Sequence, residues 1–257
     1  MVAAWAKRRL THRGAGGRRE MQRKLFLDVG GHCGESAAVA LGRDFAFDAV
    51  HSFEPDPECV ARLQQEFAEV IEAGRLILHP VALGGEDGEV TLFGDNSRGG
   101  ASVVAGMLRD DTRAIRVKKI DVARFLDAHA AENDAIFVKL NCEGAEVEIL
   151  DRLHHSARIG VVRSIMADFD IVKSSGGYFH KRRILRLYRA KALPLALAEA
   201  VMIGNTHAER IRNWLAYFPE AWRAPPPRPR PQLLKRRLRY WLKDLRSALY
   251  GRSGGYR

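Results

Sequence analysis

Between residues 25 and 170 short apolar runs alternate with amphipathic stretches, and this alternation constrains the fold more than any other feature of the chain. Runs too short for a helix, each followed by apolar residues at helical spacing, build a βα-alternating domain around a mostly parallel sheet. Leu25 to Val29 reads as a buried first strand, Gly30-Gly31 as a turn and Gly34 to Leu41 as a helix. Ala49 to Phe53 is the second strand, and Asp56 caps a helix whose apolar stripe is Val60, Leu63 and Phe67. Leu76 to Leu78 begins a third strand, and Gly84, Gly85 and Gly88 turn the chain into Glu89 to Phe93, expected as its hairpin partner. Asp121 caps a helix carrying Val122, Phe125 and Leu126; Ile136 to Leu140 is a fourth core strand, followed by a helix from Ala145 to Leu153 and a strand from Val161 to Phe169. Region 173–191 predicts a helix with Ile184, Leu185 and Leu187 inward, and Asn205 to Tyr217 a further amphipathic helix. The expected class is α/β, with a doubly wound, mostly parallel sheet bearing an antiparallel edge.

Charge divides the chain. The formal net charge is +11, yet residues 1–24 carry +7, residues 223–257 carry +10 and residues 25–222 carry −6. The expected organisation is a basic N-terminal arm (1–24), a catalytic-sized domain (25–222), and a Pro-rich spacer with a basic amphipathic helix (223–257). An acidic middle argues against nucleic acid as partner, because phosphate contacts need basic residues beside the site. Cys33, Cys59 and Cys142 have neither disulfide-framework nor redox spacing, which points to the reduced cytosol. The Leu193 to Gly204 run is short of the ~20 residues that span a bilayer, so no transmembrane segment is expected.

Three segments carry chemistry. The first, Asp28-Val29-Gly30-Gly31-His32-Cys33-Gly34, is a strand ending in a carboxylate and a D-x-G-x-x-x-G turn that opens a helix. Its glycines permit positive φ and close approach of backbone to a ligand, and the pattern differs from the G-x-G-x-x-G of nicotinamide sites. The Asp28 carboxylate suits a cationic amine, and a ligand joining such an amine to adenosine is S-adenosylmethionine; a purely structural turn is the alternative. Second, Phe53-Glu54-Pro55 ends the second strand, where a doubly wound fold places an acid to accept hydrogen bonds from ribose hydroxyls. Third, Lys139-Leu140-Asn141-Cys142-Glu143-Gly144-Ala145-Glu146 puts Asn141 and Glu143 at a strand's carboxyl end. Lys139 inside a buried strand needs a carboxylate partner or a catalytic role, and Glu146 can serve simply to favour a helix N-terminus.

Taken together with Val81-Ala82-Leu83-Gly84, these segments resemble the FkbM-like methyltransferases over roughly residues 25–172. The resemblance implies a Rossmann-like class I methyltransferase fold, S-adenosylmethionine as cofactor, and methylation of a hydroxyl on a sugar, glycan or secondary metabolite. It implies cofactor contacts from Asp28, Gly30, Gly31, His32, Gly34 and Ser36, and from Glu54, Pro55, Ala82 and Asn141. Catalysis falls to Lys139, Asn141 and Glu143. The family usually has Asp where this chain has Asn141, and an amide is not a base. By position Glu143, His32 and His79 are candidate bases, and Ser97 and Ser102 are candidates for an acceptor-side loop. No His and carboxylate cluster has metal-ligand spacing, so no metal is expected. A catalytically weak binding protein on the same fold and an RNA methyltransferase are the competing classes.

The stretch 232–250 places Leu233, Leu238, Leu242, Leu245 and Leu249 against Arg236, Arg239, Lys243 and Arg246. Such a helix either lies on an anionic membrane surface, giving a cytoplasmic protein a peripheral membrane association, or packs on its own domain. The basic stretch 173–191 is either a solvated helix face or a binding surface.

Overall fold

The computed structural model describes residues 22–95, 100–105, 113–217 and 238–246. Residues 1–21 of the expected N-terminal arm, the Pro-rich spacer and Ser97 lie outside the described residues, while Arg23 and Lys24, counted with the arm, belong to the domain: Arg23 pairs with Asp134 and Lys24 opens the first strand.

Six parallel strands form the main sheet: β1 Lys24–Val29, β2 Ala49–Phe53, β3 Leu76–His79, β8 Ala135–Leu140, β9 Val162–Ala167 and β10 Leu195–Leu197. Their order is β10-β9-β8-β1-β2-β3. β1 shows why these runs are almost continuously apolar. Leu25, Leu27 and Val29 enter one core, and Phe26 enters the other on the opposite face. The first core is covered by α4 (Val122–His129), α5 (Glu146–His154) and α6 (Gly177–Ala190). The second takes Ala37, Val39 and Ala40 of α1 (Glu35–Leu41), Leu63 of α2 (Pro57–Glu66), and Ile211, Trp214 and Leu215 of α8 (His207–Tyr217). Helices on both faces make the sheet doubly wound. A five-residue helix α3 (Ala68–Glu72) and a four-residue helix α7 (Ala198–Val201) complete the covering layers.

The expected antiparallel pairing exists in a different place. Residues 88–95 do not pair with β3; they form β5 (Gly88–Asp95) of a second sheet, together with β4 (Ala82–Gly84), β6 (Gly100–Ser102) and β7 (Ala114–Asp121), in the order β4-β7-β5-β6. β5 lies antiparallel to both β6 and β7. β3 stays at the edge of the main sheet, paired with β2 alone, and beyond Pro80 the chain passes into β4, which pairs with β7. Asp56 and Asp121 cap α2 and α4 as expected, each accepting from two backbone N–H groups.

The tail helix over 238–246 packs on the domain. Asp244, the one acid of residues 223–257, is 1% exposed and accepts hydrogen bonds from the backbone N–H groups of Gly176, Tyr178 and Phe179, capping α6 from a distant part of the chain. Tyr240 packs against the first core.

His79, a candidate base, is a packing element. His51 Nδ1 and His79 Nε2 are 3.0 Å apart, and both rings stack among Phe53, Phe125 and His129. Burial pushes His79 down to about 4 and His51 down to about 3. A histidine whose folded pKa is depressed contributes stability above its unfolded pKa near 6.5, and that stability is lost as pH falls toward the folded value. Glu143 and Glu146, raised to about 7, act in the opposite sense, so the histidine share must be read by difference. Between pH 7 and pH 5 the stability gap between wild type and His79→Gln should shrink by about 2 kcal/mol. Urea unfolding of both proteins at the two pH values measures it, and a constant gap would show that His79 titrates normally.

Candidate functional site

The order of the main sheet reverses between β1 and β8, so the chain segments leaving these two strands diverge and open a crevice, the place where doubly wound sheets hold ligands. A cavity of about 400 Å³ lies there, within the range of about 300–1,000 Å³ usual for small-molecule sites. Gly30, Gly31 and His32 line it from β1, Glu54 and Pro55 from β2, and Lys139, Asn141 and Glu143 from β8. Ala82 and Leu83 of β4, Leu92 of β5 and Ala101 of β6 close it from the second sheet. The second sheet is thus a wall of the site.

The glycine turn is fixed by close approach. Gly30 has φ 81°, and a Cβ there would fall 1.9 Å from the carbonyl oxygen of Asn141. Only glycine lets the β1 and β8 loops touch in this way. The amides of Gly30 and Gly31 both donate to the Phe53 carbonyl, at 3.0 and 3.1 Å. Glu54 braces the same loop: Oε2 accepts from the His32 amide at 2.7 Å and Oε1 from the Asp56 amide at 2.9 Å. Burial raises its carboxyl above the ordinary range, against the pull of those two donors. Gly34 precedes α1, and Ser36 Oγ lies 3.0 Å from Nε2 of His207, at the start of α8.

Asp28 is placed behind the wall. It is fully buried, and it is the β1 register partner of Lys139, whose Nζ stands 3.0 Å from Asp28 Oδ1. The contact is an ion pair without hydrogen-bond alignment, since Nζ directs its hydrogen bonds to the carbonyls of Gly30 (2.6 Å) and Val29 (3.4 Å). The carboxylate that the sequence suggested for a ligand's amine therefore faces a lysine of the chain, and it is Lys139 that reaches the cavity.

Glu143 sits in a strained turn, with φ 48°, followed by Gly144 at φ 122°. Its carbonyl accepts from Ser102 Oγ at 2.6 Å, which ties β6 to the β8 loop. Burial first, and the neighbouring Asp170 carboxylate second, raise the Glu143 carboxyl to about 7; Lys173, whose Nζ lies 3.3 Å from Glu143 Oε2 and 2.7 Å from Asp170 Oδ1, opposes the rise. Such a carboxyl on a cavity wall is set to exchange a proton near neutral pH. Glu146 acts on the backbone instead. It is buried and accepts from the amides of Gly144 (3.0 Å) and Ile171 (3.4 Å), clamping the loop.

The structure brings together around the cavity all the expected cofactor positions except Asp28 and Gly34, which do not line it, and it separates His79 from the rest. Asp170, Lys173 and His207 were missed. The first two follow the strand that ends at Ala167, so an acid pair and a lysine at a strand's carboxyl end was the available signal. Among the described residues no group of His, Cys, Asp and Glu is arranged to hold a metal ion. No helix among them is long and apolar enough to cross a membrane.

Residues 28–179 match the methyltransferase FkbM domain family. A solved structure, methyltransferase FkbM from Methylobacillus flagellatus KT, is 18% identical, with a TM-score of 0.36, and the match covers 80% of this chain and 38% of that chain. The chain thus spans well under half the length of that protein. No curated protein sequence matches it.

Proposed function

The chain belongs to the FkbM methyltransferase family, and from that premise we propose that the cavity binds S-adenosylmethionine and that a methyl group passes to a hydroxyl of a sugar, glycan or secondary metabolite. The observation that carries this reading is Glu143, a carboxyl raised to about 7 on the wall of the cavity that Glu54 and the Gly30-Gly31 turn also line.

The residues present fit the cofactor. At Gly30 and Gly31 a Cβ would occupy space needed by the loop's neighbours, so bare backbone faces the cavity and a ligand can approach it. Glu54 uses one lone pair of each oxygen on the loop and retains acceptor capacity for two ribose hydroxyls. Lys139, with its charge balanced by Asp28, offers a cation to a ligand carboxylate, and Asn141 offers neutral hydrogen bonds. When bound, S-adenosylmethionine supplies a methyl group already activated by its sulfonium. What remains for the chain is to orient the acceptor and to take its proton. Glu143 takes that proton, because an amide at Asn141 cannot, and Lys173 and Asp170 set the pH at which it is able to.

The class of transfer is testable by chemistry. Incubation with methyl-labelled S-adenosylmethionine and a panel of hydroxylated acceptors should give label in an alkali-stable ether. Label released by mild alkali would mean a carboxyl acceptor and overturn the hydroxyl assignment.

A further inference from the structure

The tail helix over 238–246 is docked the wrong way round for a helix that packs by burial. Such a helix turns its leucines inward. Here the docked side carries Asp244, bonded to three amides at the start of α6, Tyr240 against the first core, and Lys243, whose Nζ donates to the Lys173 carbonyl. Leu238 and Leu242, each two residues and so about 200° around the helix from Tyr240 or Asp244, are 55% and 39% exposed. Arg239 and Arg246 are exposed beside them, and Trp241 and Leu245 are half-buried at the other flank. The helix on the other side of the docking contact has exposed groups of the same kind. Phe179, whose amide Asp244 caps, is 40% exposed, and the exposed Arg182, Arg183 and Arg186 follow it at i+3, i+4 and i+7 on α6. Three of the five large exposed hydrophobic side chains among the described residues thus belong to the tail helix and to the helix end that it caps, and exposed arginines stand within a turn or two of each along those helices.

We propose that the outward side of the tail helix, Leu238 and Leu242 with Arg239 and Arg246, together with Phe179, Arg182 and Arg186 of the helix that it caps, docks peripherally on an anionic membrane surface. Apolar side chains flanked by guanidinium groups match an acyl boundary beneath anionic headgroups. A protein groove of equal size would need its own acidic rim, whereas a membrane supplies the charge at every point. Asp244 makes the orientation possible, since it anchors the helix by hydrogen bonds and leaves the leucine stripe free to face outward. The proposal is independent of the methyl acceptor and of cofactor binding.

Co-sedimentation of the full chain with vesicles tests it. The protein should pellet with phosphatidylglycerol–phosphatidylcholine vesicles, be released by salt, and remain in solution with phosphatidylcholine alone. Leu238→Ser with Leu242→Ser should weaken the partition by on the order of a hundredfold. Arg239→Gln and Arg246→Gln should each weaken it about fivefold. Because these side chains point outward, the melting temperature should stay within a degree or so for both sets, which separates lost docking from lost folding. Absence of pelleting, equal pelleting with both vesicle types, or unchanged partition in the leucine variant would overturn the proposal. So would a dimer of the full chain that the leucine variant converts to monomer while neither protein binds vesicles, since a second copy would then be the occupant.

Discussion

Replacement of Lys139 by Met should destabilise the protein by roughly 3–5 kcal/mol, a large share of the roughly 5–15 kcal/mol that holds an ordinary domain folded. Nζ of Lys139 lies 3.0 Å from the fully buried Asp28 carboxylate, and the two residues are register partners in the centre of a six-stranded sheet. Removing the ammonium leaves a carboxylate without water or countercharge. It also frees the Gly30 carbonyl that Nζ holds at 2.6 Å, so the glycine turn should loosen as well. The double change Asp28→Asn with Lys139→Met should recover part of the loss, because neutralising both partners removes the uncompensated charge. Urea unfolding of the three proteins at pH 7 measures this. A loss below about 1 kcal/mol in the single variant would mean that the pair is solvated and contributes as little as an exposed one.

The largest effect on turnover is expected at Glu143. With the amide of Gln in its place the acceptor's proton has no base, and kcat should fall by about 10²–10⁴-fold. Affinity for the cofactor should stay within a few-fold, because the braces of the glycine turn and Glu54 are untouched. The pH profile gives the sharper reading. A base must be deprotonated to act, so wild-type kcat/KM should rise with pH through a limb at about 7, and Glu143→Gln should lack that limb. Asp170 raises the Glu143 carboxyl and Lys173 lowers it, so Asp170→Asn should move the limb to lower pH and Lys173→Met to higher pH. A limb that ignores both substitutions would place the base elsewhere.

Much of this arrangement is legible in the sequence alone. The strand runs, the Asp56 and Asp121 caps and the glycine turn follow from local rules of period and φ, and each appears within a residue or two of its expected place. The exceptions depend on partners far along the chain. Asp28 reads locally as a ligand carboxylate, and only the pairing of β1 with β8 shows that Lys139 already faces it. β7 is absent from the expected strands although Ile115, Arg116, Val117 and Lys118 alternate as a half-buried strand should; the alternation is short, because Lys119 stands where the next apolar residue is due. Residues 88–95 are extended as expected yet differently partnered, since strand register is not encoded in either strand alone. His79 sits at a strand end as a site residue would, but its neighbours His51, Phe53 and Phe125 turn it into packing. The tail offers one cue: a lone acid, Asp244, among eleven basic residues, and that acid is the docking contact.

One cleft holding one cofactor is the central claim, and calorimetry on the full chain addresses it most directly. Titration with S-adenosylmethionine and with S-adenosylhomocysteine should each give one-site binding to the wild type. Glu54→Ala removes the acceptor for both ribose hydroxyls and should weaken both ligands by about a hundredfold, at ~1.5 kcal/mol for each hydrogen bond to a charged group. Glu143→Gln in the same experiment should bind like the wild type. Failure of the folded wild type to bind either ligand, or equal affinity in wild type and Glu54→Ala, would contradict the assignment of the cleft.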